Sequence, residues 1–149
     1  MAEMTGTVLV VENDITIGQL ISKLLTTEGH TVEVLADAME ALDAIKQKGT
    51  YQVIISDIKM PNMNGLKLLT EVKKIDQFAE VILMTGYGSF EIALKCKDSG
   101  AHDLILKDQE DFRDALRESV KTALQKVKKW KTLAKKMFAH RSMDQSDIL

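Results

Sequence analysis

In the stretch Val53-Ile54-Ile55-Ser56-Asp57-Ile58-Lys59-Met60-Pro61-Asn62-Met63-Asn64-Gly65, a short apolar run ends on an acid and leads through a proline-containing loop to a helix pattern. Leu66, Leu69 and Val72 then fall on one helical face. A run that is apolar at consecutive positions suits a strand covered on both faces. Further short apolar runs occur at Thr7–Val11, Thr31–Leu35, Val81–Met84 and Leu104–Leu106, and four of the five are continuous. Between them lie three more amphipathic sets: Ile17, Leu20, Ile21 and Leu24; Ala38, Ala41, Leu42 and Ile45; Ile92, Ala93 and Cys96.

Punctuation agrees with this division. Gly29, Gly49 and Gly100 each follow a helix pattern and precede a strand, where a left-handed residue ends a helix well. Asp37 followed by Glu40 resembles a capping box. Strands alternating with single helices require right-handed crossovers and a parallel sheet between helical layers. The expected architecture is a five-stranded, doubly wound α/β domain over residues 5–122.

The 149 residues suit one domain, and 45% hydrophobic with 28% charged residues excludes a disordered or fibrous chain. No apolar run approaches the ~20 residues needed to span a bilayer, and no charged-then-apolar signal opens the sequence. The single cysteine, Cys96, can form no internal disulfide. These features point to a soluble cytoplasmic protein. The net charge of −2 hides an asymmetry: residues 1–120 carry 20 acids and 12 bases, whereas residues 121–141 carry eight bases and no acid.

In a sheet of this kind, ligands bind outside the carboxyl ends of the strands. The residues closing the runs are Glu12 and Asn13, Asp57, Thr85 and Lys107. Any one of them could simply end a strand, but two acids, an amide, a hydroxyl and an ammonium on one rim form a chemical set. Hard oxygen ligands suit Mg²⁺ (or Mn²⁺), which takes one or two carboxylates and keeps water or phosphate oxygens elsewhere. Zinc is disfavoured, because Cys96 and the three histidines lack ligand spacing. A carboxylate beside such a cation can attack phosphorus, with the ammonium and hydroxyl neutralising the remaining oxygens.

Asp57-Ile58-Lys59-Met60-Pro61-Asn62-Met63-Asn64-Gly65 resembles the D-x-x-M-P-x-x-x-G segment of receiver domains in two-component response regulators. The resemblance extends to Val8-Leu9-Val10-Val11-Glu12-Asn13-Asp14, to Met84-Thr85-Gly86, and to Gly100-Ala101-His102-Asp103 leading to Lys107. It implies a flavodoxin-like (βα)5 fold with strand order 2-1-3-4-5. It also implies that Asp57 is the phosphoacceptor, that Glu12, Asn13, Asp57 and the Lys59 backbone carbonyl hold the metal, and that Thr85 and Lys107 contact the phosphoryl group. The implied donor is a sensor histidine kinase or phosphotransfer protein, and the implied response is a change on the face formed by the fourth helix, fifth strand and fifth helix. Such a domain is no enzyme beyond its own phosphorylation and dephosphorylation.

Three positions depart from the family pattern. Asn13 stands where a second acid is usual, Asp108 replaces the proline after the lysine, and Leu104 replaces a switching aromatic. The departures sustain an alternative: a degenerate receiver that binds partners independently of phosphorylation.

Beyond residue 122, Leu116, Val120, Ala123, Val127, Trp130, Ala134 and Met137 continue a 4, 3, 4, 3 spacing, a heptad seam with lysines outside it. Residues 123–140 therefore read as a basic helix continuing helix five, and 141–149 as a polar, disordered tail. The seam suits a homodimer through residues 116–137, as in regulators of the sigma-54, nitrogen-regulation class, which Thr85-Gly86-Tyr87-Gly88-Ser89 mildly resembles. Competing readings are a loosely pairing solvated helix and, ranked last, contact with nucleic acid or an anionic membrane. If the chain is a fragment, an effector domain is missing from it.

Other classes find less support. Gly86-Tyr87-Gly88 lacks the third glycine of a dinucleotide fingerprint. Flavin phosphate would be repelled by the acidic rim, and a dehalogenase-type phosphatase would want an acid where Lys59 stands. Cys96 reads as a packing residue, Tyr87 as a surface tyrosine, and His30, His102 and His140 as isolated surface residues.

Overall fold

The computed structural model describes the backbone of residues 4–148 and the side chains of residues 4–139. Strands β1 (Thr7–Val11), β2 (Thr31–Leu35), β3 (Val53–Asp57), β4 (Glu80–Thr85) and β5 (Asp103–Leu106) alternate with helices α1 (Ile15–Thr27), α2 (Ala38–Lys48), α3 (Gly65–Ile75), α4 (Phe90–Asp98) and α5 (Phe112–Ile148). All pairings are parallel and the order is β2-β1-β3-β4-β5, as expected.

The two-residue period of the strands divides the core into two layers. Val8, Val10, Ile55, Ile82 and Met84 pack with Ile21 and Leu25 of α1 and Leu116 and Val120 of α5. Leu9, Val11, Ile54, Val81 and Leu83 pack with Leu42 of α2, Leu68 and Val72 of α3, and Cys96 of α4. Because both faces are covered, the runs Val8–Val11, Val53–Ile55 and Val81–Met84 inside β1, β3 and β4 are apolar without alternation.

Asp14, Asp37, Asn64 and Ser89 accept hydrogen bonds from the first-turn amides of α1, α2, α3 and α4. Each such cap contributes about 1 kcal/mol. Gly29, Gly49 and Gly100 have φ values of 97°, 60° and 88°, the left-handed conformation their positions suggested.

Several details differ from the sequence reading. Leu68, not Leu66, completes the inner face of α3 with Leu69 and Val72, because the helix starts at Gly65 and its i, i+3, i+4, i+7 row begins there. Leu25 is buried in α1 while Leu20 is partly exposed. Ala93 is exposed, since α4 touches the sheet along a narrow edge and buries only Cys96. His30 is buried, its Nδ1 accepting from the Gly6 amide at 3.2 Å. His102 is half-buried, with Nε2 2.8 Å from the Thr122 hydroxyl. Both histidines sit where a helix meets the foot of the sheet, so only docking of that helix makes them interior. The side chain of His140 lies outside the described residues.

The largest difference concerns α5. Burial does not stop near residue 123: Ala123, Leu124 and Val127 are all covered by the body. A helix advances 1.5 Å per residue against about 3.3 Å for a strand, so crossing the sheet takes many more helical residues than strand residues. Lys126 Nζ lies 3.5 Å from Glu80 Oε1 at the foot of β4, and the Leu124 side chain abuts Gly6 just before β1. The first four positions of the expected dimer seam, Leu116, Val120, Ala123 and Val127, pack against the chain's own sheet, which leaves Trp130, Ala134 and Met137 as the seam positions beyond it. The helix then continues to Ile148, where the sequence reading placed a boundary at 140 and a disordered tail, because no Gly or Pro interrupts it. Leu149 lies outside the described residues. Among the described residues no helix is long and apolar enough to cross a membrane.

Candidate functional site

The carboxyl ends of β1, β3, β4 and β5 surround a cavity of about 460 Å³ lined by Glu12, Asn13, Asp57, Thr85 and Lys107, with Lys59 and Tyr87 at its mouth. Glu12 and Asp57 are both buried. Glu12 Oε1 accepts from the Asp14 amide at 3.0 Å, and Oε2 accepts from Lys107 Nζ at 2.9 Å. The same ammonium lies 2.5 Å from Asp57 Oδ1. It reaches across β4 from β5, as a long lysine side chain permits.

The loop after Asp57 is held by backbone contacts. The Ile58 amide donates to Met84 O at 2.9 Å, and the Gly65 amide donates to Ile58 O at 2.8 Å. A Cβ on Gly65 would lie 2.3 Å from the Asp57 carbonyl oxygen, so only glycine lets α3 start this close to the acid. Asn62 adopts φ 71° at the outer bend of the loop.

Burial, followed by the hydrogen bond to Glu12, pushes the Asp57 carboxyl up to about 7 against the opposing pull of Lys107. Burial would lower the Lys107 ammonium, but hydrogen bonds and charge from Asp57 and Glu12 prevail and raise it. Two buried carboxylates facing one ammonium leave a surplus negative charge. Asp57 Oδ1 makes an ion contact with Lys107 yet has no aligned hydrogen bond among the described residues. Two buried carboxylates sharing a single ammonium at the floor of a cavity fit a small divalent cation.

The donor types at the cavity suit that kind of ion. Among the described residues no three His, Cys, Asp or Glu side chains are placed to hold a metal ion by themselves. Glu12, Asp57 and the Asn13 amide oxygen line the cavity and could hold such an ion, oxygen donors that suit Mg²⁺ or Mn²⁺ completed by water and not a closed zinc site.

The structure therefore joins Glu12, Asp57 and Lys107 directly. Asn13 is solvent-exposed at the cavity wall, with no hydrogen bond from its side chain among the described residues. Thr85 lines the cavity but turns its hydroxyl to its own loop, donating to Tyr87 O at 3.1 Å and accepting from the Tyr87 amide at 3.2 Å. Two participants were not evident in the sequence. Asp14 faces the cavity but uses Oδ1 to cap α1 through Thr16 and Ile17. Tyr87, read as an ordinary surface residue, lies with its ring 5.7 Å from Lys59 Nζ across the mouth, within cation–π range. Cation and aromatic ring come from loops 28 residues apart, which no local pattern connects.

Residues 8–121 match the family described as the response regulator receiver domain. The chain belongs to this family. The receiver is 35% identical over 118 residues to the C4-dicarboxylate transport transcriptional regulatory protein DctD of Pseudomonas aeruginosa, covering 79% of this chain and 25% of that protein. It is 30% identical to sporulation initiation phosphotransferase F of Bacillus subtilis, covering 77% of this chain and 94% of that protein. A CheY-like receiver domain of Methanospirillum hungatei superposes with a TM-score of 0.76 at 30% identity, over 85% of this chain and 98% of the other. The chain thus spans about a quarter of the DctD regulator and nearly all of the sporulation phosphotransferase.

Proposed function

We propose that this receiver takes a phosphoryl group onto Asp57 from a histidine kinase or phosphotransfer protein in two-component signalling, and passes the change to a partner through α4, β5 and α5. The observation that supports this most is the Lys107 ammonium shared between Glu12 and Asp57 at the cavity floor. In the transfer, an Asp57 oxygen forms the new bond to phosphorus while the bond to the donor imidazole nitrogen breaks, and that nitrogen keeps the electron pair. Lys107 then leaves the carboxylate oxygen for a phosphoryl oxygen. The Thr85 hydroxyl exchanges its loop partners for another phosphoryl oxygen, which alters the loop leading to α4. Glu12, Asp57, the Asn13 amide oxygen and the Lys59 carbonyl would hold Mg²⁺ or Mn²⁺, which supplies charge neutralisation for the phosphoryl oxygens. A cytoplasmic setting accords with this role and with Cys96 as a buried free thiol.

Mass spectrometry after treatment with acetyl phosphate and Mg²⁺ tests the proposal. One phosphoryl group is expected on the native chain and none on Asp57→Asn. The degenerate alternative draws on Asn13, which leaves the cation short of one charge; it would be preferred if the native chain stayed unmodified while still binding a kinase.

A further inference from the structure

Past Val127, helix α5 leaves the body with its apolar and charged residues on different sides. The side that packs on the sheet through Leu116, Val120, Ala123 and Val127 continues as Trp130, Ala134 and Met137. At about 100° per residue, the outer side carries two rows of exposed lysines, Lys121, Lys128 and Lys135 in one and Lys129 and Lys136 in the other. Gln125 and Thr132 lie between the rows. Successive lysines of a row are seven residues apart, about 10 Å along the axis.

No acid stands between Glu118 and Asp144, so the charge of the rows is uncompensated along the helix. Lys126 differs, being turned toward the body, where its Nζ lies 3.5 Å from Glu80 Oε1. That contact marks where the rows emerge, at the foot of β4 and so at the end of the sheet away from the Asp57 cavity. Four of the five lysines lie beyond residues 8–121, which match the receiver family, so the surface belongs to this chain's own sequence and not to the family fold.

Rows of lysines on a rigid rod, with no acid among them, fit a regular array of anions. Double-stranded DNA presents one negative charge per about 1.7 Å of its axis, fixed in two phosphate rows that a preformed helix meets without ordering them. Single-stranded nucleic acid is held by stacking on aromatic side chains, and Trp130 and Phe138 lie on the other side of the helix. A lipid surface has to take up the apolar side, but that side faces the way the body projects, so a flat bilayer reaching it would collide with the foot of the sheet. Between the rows Gln125 and Thr132 are too short to pass the lysines and read bases, so the contact is to phosphate and independent of sequence.

We infer that the outer face of the α5 extension binds the phosphate backbone of double-stranded DNA through Lys121, Lys128, Lys129, Lys135 and Lys136, without reading its sequence. The acidic body stays clear of the duplex because the rows point away from it. The surface is distinct from the Asp57 cavity, so this inference stands whether or not Asp57 is phosphorylated.

Fluorescence anisotropy of a labelled duplex of arbitrary sequence, titrated with the full chain, tests it. A Kd of about 1–100 µM is expected near 0.1 M salt, and five released counterions give a slope of log K against log salt of about −4 to −5, roughly a twentyfold loss per doubling of salt. The variant Lys128→Gln with Lys135→Gln and Lys136→Gln should flatten that slope by about 3, whereas Met137→Ser with Phe138→Ser should bind as the native chain does. Far-UV circular dichroism checks that each variant keeps its helix; if the triple variant loses it, the single change Lys128→Gln, expected to flatten the slope by about 0.9, takes its place. A native chain that leaves the duplex free overturns the inference, and does so in favour of a lipid surface if the chain cosediments with phosphatidylglycerol vesicles. Tighter binding to a single strand than to the duplex, or a slope that the lysine changes leave unmoved, also overturns it. So does a loss of DNA binding in the Met137 and Phe138 variant, which would place the contact on the apolar side.

Discussion

Lys107 Nζ contacts Asp57 Oδ1 at 2.5 Å and Glu12 Oε2 at 2.9 Å, so one ammonium just past β5 is shared by carboxylates at the ends of β3 and β1. Removing it leaves two buried acids with no cation between them. Lys107→Gln should destabilise the native state by roughly 1–3 kcal/mol and drive the Asp57 titration above its present position near 7. Urea denaturation and carboxyl NMR titration check the two effects. An unmoved Asp57 titration would mean that the ammonium does not control the site.

The raised pKa of Asp57 also sets a pH dependence. An ordinary aspartate in the unfolded chain titrates near 3.9, so between about pH 4 and 7 the native state binds a proton that the unfolded state has released. Stability from this group is therefore full below pH 4 and declines as pH rises through 7. Asp57→Asn should be more stable than the native chain by on the order of 2–4 kcal/mol at pH 8 and nearly equal to it at pH 4. Millimolar Mg²⁺ should raise the melting temperature of the native chain at pH 8 and leave Asp57→Asn unmoved. Equal behaviour of the two chains at pH 8 would refute the assignment.

Replacing Asn13 by Asp adds a third negative charge at the cavity wall. Calorimetry should show Mg²⁺ binding several-fold tighter than in the native chain, because affinity for hard cations follows ligand charge. Unchanged binding would place Asn13 outside the cation's reach.

At Gly65 the constraint is backbone contact. Gly65→Ala brings a methyl group against the Asp57 carbonyl oxygen, so α3 has to withdraw or the β3 end has to shift. A loss of about 1–3 kcal/mol is expected in denaturant titration, with slower phosphorylation by acetyl phosphate. A neutral substitution would show that the loop yields easily.

The reach of α5 separates two residues of similar character. Val127 is buried, and Val127→Ala should cost about 1–2 kcal/mol; Trp130 is half exposed, and Trp130→Ala should change monomer stability by less than about 0.5 kcal/mol. Thermal melts of dilute protein distinguish them. A chain ending at residue 122 should accordingly melt below one ending at 128.

Much of this protein was legible in its sequence because strand ends converge in a parallel α/β sheet. Once five apolar runs were recognised, the polar residues closing them, Glu12, Asp57, Thr85 and Lys107, had to meet on one rim. The proline loop and Gly65 narrowed that rim to one family. The interior histidines were missed because burial of His30 and His102 depends on helices packing at the opposite end of the sheet. The Thr85 hydroxyl and the Tyr87 ring were missed because both are oriented by a loop whose path the apolar pattern leaves open.

Strand succession, helix caps, the acidic rim and the basic extension follow from local residue patterns, since each depends on neighbours within a few positions. Tertiary structure alone decided three things. It placed Lys107 between two acids across β4, because side-chain reach depends on strand order. It raised Asp57 toward neutrality, because desolvation depends on everything packed around the group. And it carried the covered part of α5 to Val127, because the length of helix a sheet can bury is set by the sheet and not by the helix's own repeat.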